Sequence, residues 1–368
     1  MKIDVARPSE LGPDELAHWR QIQHSHPDLA SPFLSPSFAV AVERARGAAR
    51  VAVLSDPSGI IGFFPYEQRR WGTGIALAKG LSDVQAVLVP PAATVDVREI
   101  LRACRLRIWE FDHLLGHQVA LLSGAAAGLV PERSPVIDLS DGFERYQRRQ
   151  RASSGSFFQS TGRKRRKLER EHGPVRLVLA DPDDSHLEAV LRWKSAQYRR
   201  TGRPDRFANP ATRALVAELQ QARDPAFSAP LTVLLAGDAV VAGHLGLRSA
   251  STLAWWFPAY DPDFGAYSPG LILLLELARA MPEDGLSLLD LGKGDESYKE
   301  RLSNRQIPLL RGAAARDRHL AAAYSLQHWP RERAERLVLQ SPQLRAWARE
   351  ALGRFGAVRE RAWARNHG

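Results

Sequence analysis

Residues 255–301 constrain the fold most, because two polar motifs there enclose a short apolar segment. The first motif joins Tyr-Asp-Pro at 260–262 to Tyr-Ser-Pro-Gly-Leu at 267–271, and the second reads Asp-Leu-Gly-Lys-Gly-Asp-Glu-Ser-Tyr-Lys at 290–299. Residues 271–281 predict a helix, since Pro269 and Gly270 are typical of a helix start and Ser268 or Tyr267 can cap it. A strand precedes it at 253–257. A helix that starts soon after a strand exposes free N–H groups, so we expect an anion site that suits a pyrophosphate.

The order strand, turn, helix, strand, glycine-rich turn and helix resembles the second half of the GNAT acyltransferase fold. The two motifs resemble more narrowly the acetyltransferase domain of the CelD/BcsL type, which occurs in bacterial polysaccharide-biosynthesis proteins. The resemblance extends loosely back to about Phe143 and, at low resolution, into the amino-terminal half. It implies an acyltransferase that uses acetyl-CoA or another acyl-CoA as cosubstrate.

Two β-hairpin patterns indicate an internal repeat. One joins residues 51–54 and 60–66 through a turn at 55–59, and the other joins 231–235 and 239–245 through a turn at 236–238. Each has a glycine in its second strand, Gly62 and Gly243, as expected where a neighbouring group approaches the backbone closely. Two GNAT-like halves explain the repeat, an architecture similar to that of the Fem-class peptidoglycan aminoacyl-transferases. The predicted fold class is α/β (α+β), with a mixed central sheet flanked by helices in each half.

The length of 368 residues exceeds the usual size of a single core, so the chain is expected to divide. We predict an N-terminal degenerate GNAT-like domain at 1–140, a basic helical linker at 141–173, a C-terminal catalytic GNAT domain at 174–325 and an Arg-rich amphipathic helical tail at 326–368. Within the catalytic domain, a strand is predicted at 175–179 and helices at 185–200 and 210–221, the latter capped by Asn209.

The formal net charge of +10 favours anionic partners, such as sugar nucleotides, CoA phosphates, acidic lipid headgroups or nucleic acid. Coding bias in a GC-rich genome explains the arginine excess equally well. Five contiguous cations at 163–167 can bind phosphates without sequence specificity. No helix-turn-helix, zinc-ligand spacing or RNA-binding aromatic motif accompanies them, so a solvated helix face or a wall of the substrate cleft is favoured over nucleic-acid binding.

Apolar runs in the chain stay far below 18 residues, and the amino terminus lacks the apolar region of a signal peptide. We therefore expect a cytoplasmic protein. The single Cys104 cannot form an internal disulfide, which fits a reducing compartment, and a buried inert thiol is expected there.

The tail at 343–365 places apolar residues at three- and four-residue intervals, with arginines on the rest of the helix surface. Trp347, Phe355 and Trp363 belong to the apolar stripe. Such a helix can pack on its own domain, lie on anionic lipid or bind an acidic ligand. Packing against the parent domain is the commonest outcome for such a helix, and peripheral contact with the inner face of an anionic membrane is a further prediction.

Acyl transfer from a thioester needs a cradle for CoA, a base, oxyanion stabilisation and an acid for the leaving thiolate. The helix start and the strand before it provide the cofactor-binding candidates: Ser268, Pro269, Gly270, Leu271, Trp256 and Phe257. The usual GNAT loop, Arg/Gln-x-x-Gly-x-Gly/Ala, is not found, so the acyl donor stays open.

The catalytic candidates follow a pair of glycines, which allow a tight exit from a strand and gather side chains at the carboxyl edge of the sheet. They are Asp295, Glu296 and Tyr298. Either carboxylate can act as base, and Tyr298 as acid or thiolate partner. Alternatively, Asp295 caps the next helix and pairs with Lys299. His244 is the alternative base, unless it is a satisfied core residue.

The substrate-binding candidates comprise aromatic and basic side chains near the motifs: Tyr267, Lys299, Lys194, Tyr198 and Arg199. The helix that carries the last three overlooks the acceptor site in GNAT-like folds, but it can also be an ordinary surface helix. No metal site is predicted, because the histidines lack paired ligand spacing. A serine nucleophile is not expected either, since no Gly-x-Ser-x-Gly elbow occurs.

These observations favour an N-acyltransferase, most simply an N-acetyltransferase, that acts on an amino sugar or a sugar-linked intermediate of bacterial exopolysaccharide biosynthesis. The substrate is expected to be a small molecule or a lipid-linked sugar. Within the enzyme class, an aminoacyl-tRNA donor or an amino-lipid acceptor stays open. The alternative from another class is a catalytically degenerate GNAT-fold module that senses an anionic nucleotide effector.

Overall fold

A computed structural model describes residues 1–90, 93–294 and 296–327 of the chain. These residues form two successive halves, residues 1–138 and 143–315, which contribute to one mixed sheet of twelve strands within the described ranges. The first half comprises β1 (Lys2–Ala6), α1 (Pro13–His24), α2 (Pro36–Arg46), β2 (Ala49–Asp56), β3 (Gly59–Gln68), β4 (Thr73–Ala76), α3 (Val97–Ala103), β5 (Ile108–Leu115) and β6 (Ala126–Asp138).

The second half repeats this order, with a long helix before it and a short helix ahead of its last strand. It comprises α4 (Phe143–His172), β7 (Val175–Val178), α5 (Asp184–Arg200), α6 (Pro210–Gln220), β8 (Leu231–Ala236), β9 (Ala239–Arg248), β10 (Thr252–Tyr260), α7 (Pro269–Ala280), β11 (Leu288–Asp290), α8 (Ser297–Leu302) and β12 (Arg305–Ala315). The two predicted hairpins are confirmed as β2–β3 and β8–β9. The Asn209 side chain accepts a hydrogen bond from the N–H of Ala211, which confirms the predicted cap of α6.

The two halves exchange their last strands. The sheet runs in the order β1-β2-β3-β4-β5-β12-β6-β11-β10-β9-β8-β7. Strand β12 therefore pairs with β5 of the first half, and β6 pairs with β11 of the second half. The exchanged strands lie antiparallel to each other at the centre, from Arg305 opposite Val136 to Ala314 opposite Ala126. Each half is completed by a strand of the other.

Alternating side chains bury both faces of this sheet. On β2, Val51 and Val53 join the core under α1, α2, α5 and α6, whereas Ala52 and Leu54 join the core on the opposite face. Helix α3 covers that opposite face in the first half, and α4, α7 and α8 cover it in the second half. We call the first of these the α5 face and the second the α7 face. Helices α2 and α6 also contact each other across the junction of the halves.

None of the helices in the described residues combines the length and apolarity needed to cross a membrane. Cys104 follows α3 and is buried, as expected, and burial raises the pKa of its thiol to about 11.

Candidate functional site

A wedge opens between β10 and β11 in the second half. The two strands are parallel and pair only as far as Ala254 and Asp290, while β10 continues to Tyr260. A β-bulge between Ala254 and Phe257 bends β10 at the point where pairing stops. Beyond it, no described backbone segment pairs with β10 on the side that faces β11. The carboxyl edges of both strands therefore border an unpaired gap.

The equivalent position in the first half is closed. Strands β4 and β5 also pair in parallel, but β4 ends at Ala76 and the chain after it returns between β3 and β5. The N–H of Gln85 donates to the carbonyl of His113 at 2.8 Å, and Leu88 exchanges two 2.8 Å backbone bonds with Phe63. The Gln118 side chain holds the backbone of Val87 from the other side. This segment, residues 84–89, is the plug of the first half.

Helix α7 begins at Pro269, beside the far end of the wedge. Ser268 is the N-cap residue of this helix, as predicted, but it adopts a left-handed conformation at φ 53° and its side chain makes no capping hydrogen bond. Its Oγ instead accepts a 2.7 Å hydrogen bond from Lys164 Nζ on α4. A Cβ placed on Gly270 would have its nearest neighbour 3.6 Å away, on the ring of Tyr260. The first turn of α7 thus combines a backbone N–H donor with a cation, which suits an anionic ligand.

The basic run at 163–167 lies in α4 and divides between α7 and solvent. Lys164 and Arg165 turn toward α7, where Arg165 Nε donates to Glu276 at 2.9 Å. Lys167 is exposed and stands over the ring of Tyr267, which also contacts His172 and Glu171. Tyr267 therefore belongs to the α4–α7 side of the molecule and lies apart from the other predicted substrate residues.

The Asp-Leu-Gly segment after β11 is a tight polar turn. Asp290 is 3% exposed and accepts hydrogen bonds from Ser134 Oγ and from the N–H of Gly292. Burial raises the pKa of this carboxyl, against the effect of both donors. Gly292 has a φ of 69°, which favours glycine. The structure thereby confirms the tight exit from the strand that the two glycines predict.

Glu296 and Lys299 close around Gly294. Lys299 Nζ donates to the carbonyls of Gly292 and Lys293, at 3.0 and 3.2 Å, and lies 3.3 Å from Glu296 Oε2. A Cβ on Gly294 would lie 2.1 Å from that same oxygen. Burial alone would raise the pKa of Glu296, but Lys299 and Arg203 hold it below its usual value. Glu296 is therefore an ion-paired carboxylate.

Tyr298 spans the wedge from α8 toward β10 on the α7 face. Its hydroxyl accepts a hydrogen bond from the indole N–H of Trp255, and its ring joins the core of that face. Burial raises the pKa of Tyr298, so the phenol keeps its proton at neutral pH. A protonated phenol in this position is suited to donate to a leaving group.

The side chains of Trp256 and Phe257 are not available to a ligand. Both are buried, their rings stack at 4.1 Å, and Trp256 Nε1 donates to the carbonyl of Leu81 in the first half. The bulge turns both rings onto the α5 face, where they join the core. Only their backbone groups can contact a cosubstrate.

His244 is a structural residue of the bulge. It is 0% exposed, stacks on Trp255 at 4.2 Å, and its Nε2 lies 3.2 Å from both the carbonyl of Ala254 and the N–H of Trp256. Burial lowers its pKa to about 3. A ring without access to solvent or to the wedge has no route for proton exchange, so we do not assign His244 the role of base.

Lys194 and Tyr198 of α5 lie near Glu296 and Lys299, in the region where the loop after β4 of the first half meets the β10–β11 wedge of the second half. We call this region the junction. Lys194 Nζ donates to the carbonyl of Pro258 at 2.9 Å and stands over the ring of Tyr198. Burial lowers the pKa of Lys194 to about 8, and Lys299 adds to this while Glu296 opposes it. Arg199 points elsewhere, onto Ser195 and Asp205.

Two further residues of the junction have no signal in any sequence motif. Asp83 of the first half lies on the turn after β11, since a Cβ on Gly292 would be 3.0 Å from Asp83 Oδ2. Arg206, between α5 and α6, lies on Gly80 of the same loop, with Nη1 3.6 Å from the Cβ position. Only the pairing of the two halves brings Asp83 to this part of the second half, where the charge of Arg206 acts on Lys194.

The catalytic candidate Asp295 and the tail at 328–368 lie outside the described residues. Within the described part of the chain, no group of three or more His, Cys, Asp or Glu side chains could hold a metal ion.

The profile of the acetyltransferase (GNAT) domain family matches residues 155–300, from the middle of α4 to α8. This part of the chain is similar to GNAT acetyltransferase domains. The match includes α7, β11 and the turn that carries Glu296 and Tyr298, and the predicted class of GNAT-type acyltransferase is confirmed. It stops before β12, the strand that the second half gives to the first.

Solved structures confirm the fold over most of the chain. FemX is 10% identical, with a TM-score of 0.56 over 85% of this chain and 96% of its own. The C-terminal domain of a putative lysylphosphatidylglycerol synthetase from Agrobacterium fabrum is 14% identical, with a TM-score of 0.52 over 84% and 94%. A conserved protein of unknown function from Bacteroides thetaiotaomicron is 14% identical, with a TM-score of 0.52 over 85% and 100%. The predicted mixed α/β architecture of two GNAT-like halves is thereby confirmed. No curated protein matches the chain.

Proposed function

We propose that the protein is an acyl-CoA-dependent N-acyltransferase with one active wedge, between β10 and β11. The observation that carries the proposal is the contrast between the halves. Beyond Ala254, β10 has no described partner on the side that faces β11, whereas the plug at 84–89 bonds to both β3 and β5 at the equivalent position of the first half. The first half then serves as a structural and acceptor-binding partner rather than a second catalytic unit.

The residues at the start of α7 fit the phosphates of CoA. The N–H of Gly270 and the ammonium of Lys164 offer a donor and a cation. The thioester supplies the activated acyl group, and its leaving thiolate needs a proton. Tyr298, whose pKa is raised by burial, is the proposed donor of that proton. Of the carboxylates predicted as base, Glu296 is ion-paired and Asp295 lies outside the described residues.

Calorimetric titration with acetyl-CoA, longer acyl-CoAs and free CoA tests the donor assignment. We expect at least one acyl-CoA to bind, and the variant Tyr298→Phe to lower kcat while it leaves the Kd of that acyl-CoA unchanged. Absence of binding to every CoA species would remove the assignment. Equal kcat in the variant would remove the role of Tyr298.

The acceptor is proposed as an amino sugar or a sugar-linked intermediate of exopolysaccharide synthesis, on the strength of the Tyr-Ser-Pro-Gly and Asp-x-Gly-x-Gly-Asp-Glu-x-Tyr-Lys motifs. An amino-lipid is the second candidate, because one domain with this fold belongs to a putative lysylphosphatidylglycerol synthetase. Transfer of labelled acetyl groups to a panel of amino sugars and amino-lipids separates the two. Labelling of neither panel by an enzyme that binds acyl-CoA would reject both.

A peripheral contact with anionic membrane belongs to the same proposal, through the arginines and tryptophans at 343–365. Each arginine near an anionic surface contributes about 1 kcal/mol, and the attraction fades within about 8 Å at physiological salt. Sedimentation with anionic liposomes should therefore be lost as salt rises. Equal sedimentation with anionic and neutral vesicles at low salt would contradict it.

A further inference from the structure

The loop after β4 in the first half forms one wall of the junction with the second half. The carbonyl of Leu81 accepts from Trp256 of β10, Gly80 lies under Arg206, and Asp83 lies against Gly292. The wall therefore ends on the glycine turn that leads to Glu296, Tyr298 and Lys299. A ligand at this junction contacts both halves at once.

Asp83 differs from the other carboxylates around it. Asp290 accepts from Ser134 and Gly292, Glu296 pairs with Lys299, and Asp205 accepts from Ser195 and Arg199. Asp83 is partly buried, yet none of the described residues donates a hydrogen bond to it or forms an ion pair with it. A desolvated carboxylate without a hydrogen-bond donor is unfavourable unless a ligand or water donates a hydrogen bond to it.

Arg206 is the corresponding cation. Its neighbours are engaged, since Arg199 pairs with Asp205 and Arg203 lies 3.7 Å from Glu296. The guanidinium of Arg206 has no hydrogen bond or ion pair with the described residues, although its charge acts on Asp83, Lys194 and Tyr198. Guanidinium groups bind phosphate and carboxylate through two parallel hydrogen bonds. Among the described residues, the junction thus holds an unpaired carboxylate, Asp83 of the first half, and an unpaired guanidinium, Arg206 of the second half.

We propose that the acceptor is an amine that carries its own anionic group, a phosphate or a carboxylate, and that it bridges the two halves with its amine at Asp83 and its anion at Arg206. The inference rests on the proposed N-acyltransferase function and names the chemistry of its acceptor. It also gives Asp83 a catalytic role that no motif of the second half supplies.

The transfer step forms one bond to the acyl carbon, breaks another, and moves two protons. The amine nitrogen forms a bond to the thioester carbonyl carbon, the carbon–sulfur bond breaks, the surplus N–H proton moves to Asp83, and the thiolate takes a proton from Tyr298. Burial raises the pKa of Asp83 to about 6, which is close to neutral pH and suits a general base. The groups that face Asp83 are His113 of β5, Asp290 of β11, Lys299 of α8, Tyr198 of α5 and Arg206; of these, Asp290 raises its pKa further and the cations oppose that effect.

Matched acceptor pairs test whether the protein recognises an anionic group on the acceptor. Ethanolamine is compared with phosphoethanolamine, and glucosamine with glucosamine 6-phosphate, by calorimetric binding and by acyl transfer. We expect at least a tenfold higher affinity and kcat/KM for the phosphorylated member of one pair, and loss of that advantage in Arg206→Gln. Arg192→Gln, an exposed arginine of α5, is the control and should keep it. No preference in either pair, or a preference that survives Arg206→Gln, overturns the inference.

Asp83 is tested with Asp83→Asn and Asp83→Glu, beside the exposed control Asp4→Asn. Asp83→Asn should lower kcat by about 100-fold and abolish the acidic limb of the pH profile, with partial recovery in the glutamate variant and an unchanged Kd for acyl-CoA. Wild-type kcat and pH profile in Asp83→Asn would overturn the role. Failure of the N-acyltransferase proposal looks different: no acyl-CoA binds, while the phosphorylated amines still bind more tightly and lose this advantage in Arg206→Gln.

Discussion

Lys164 Nζ lies 2.7 Å from Ser268 Oγ, so the basic helix α4 is joined to the first turn of α7 at the proposed phosphate site. Removal of this ammonium should weaken acyl-CoA. We expect Lys164→Met to raise the Kd of acyl-CoA about tenfold, the equivalent of about 1.4 kcal/mol, with little change in kcat at saturation. Lys2→Met, which removes an exposed lysine of β1, is the control. An unchanged Kd in Lys164→Met would place the phosphates elsewhere.

Gly243 of β9 leaves room for α5. A Cβ at this position would lie 2.2 Å from Cγ2 of Val190, so Gly243→Ala should destabilise the protein by about 2 kcal/mol or more. The double variant Val190→Ala/Gly243→Ala removes the clashing methyl group and should recover part of the loss. Urea denaturation measures both. Strictly additive losses in the double variant would show that the two side chains do not compete for this space.

Gly62, its counterpart in β3, leaves room for the plug. A Cβ there would lie 2.5 Å from Cγ1 of Val89 and 2.6 Å from the carbonyl oxygen of Leu88. Because the oxygen belongs to the backbone, Val89→Ala should not rescue Gly62→Ala, in contrast to the pair at Gly243. Recovery of the free energy of unfolding by Val89→Ala to the same degree would contradict the backbone position of the plug.

Because His244 is buried in its neutral form, the free energy of unfolding should decrease as the pH falls. Its pKa is lowered to about 3 in the folded protein, so the unfolded chain binds one more proton between about pH 3 and the usual value near 6.5. The stability that neutral His244 contributes is therefore present above pH 6.5 and falls by about 1.4 kcal/mol per pH unit below it. His244→Gln lacks this titration, so the stability advantage of the wild type over the variant should shrink as the pH falls from 7 to 4. An advantage that stays constant over this range would argue against a neutral, buried ring.

The ionisation of Asp83 should change the free energy of unfolding in the opposite direction, so that it decreases as the pH rises. Its pKa is raised to about 6, so the folded state binds the proton more tightly than the unfolded chain, and this contribution is lost as the pH rises through 6. Asp83→Asn should therefore be more stable than the wild type at pH 7.5, on the order of 1–3 kcal/mol, and close to it at pH 4. Lower stability of the variant at pH 7.5, with no dependence on pH, would contradict the raised pKa.

Local features of the second half follow from the sequence because they depend on contacts within a few residues. The hairpin β8–β9, the Asn209 cap and the helix after Pro269 are encoded by turn residues, capping groups and periodicity. Gly292 is predictable for the same reason, since its N–H bonds to Asp290 two residues earlier. The internal repeat was visible as two copies of one local pattern.

The tertiary structure alone decided what the repeat does. The exchange of β6 and β12, the plug in the first wedge and the burial of His244 under Trp255 depend on groups far apart in the chain, and no short segment encodes such partners. Asp83 and Arg206 illustrate this most clearly, because each lies in a loop without a sequence motif and each contacts a glycine of the other half. Short-range hydrogen bonds and hydrophobic periodicity depend on residues that are close in the sequence. The junction, in contrast, forms only when the two halves bury their apolar faces on one continuous sheet.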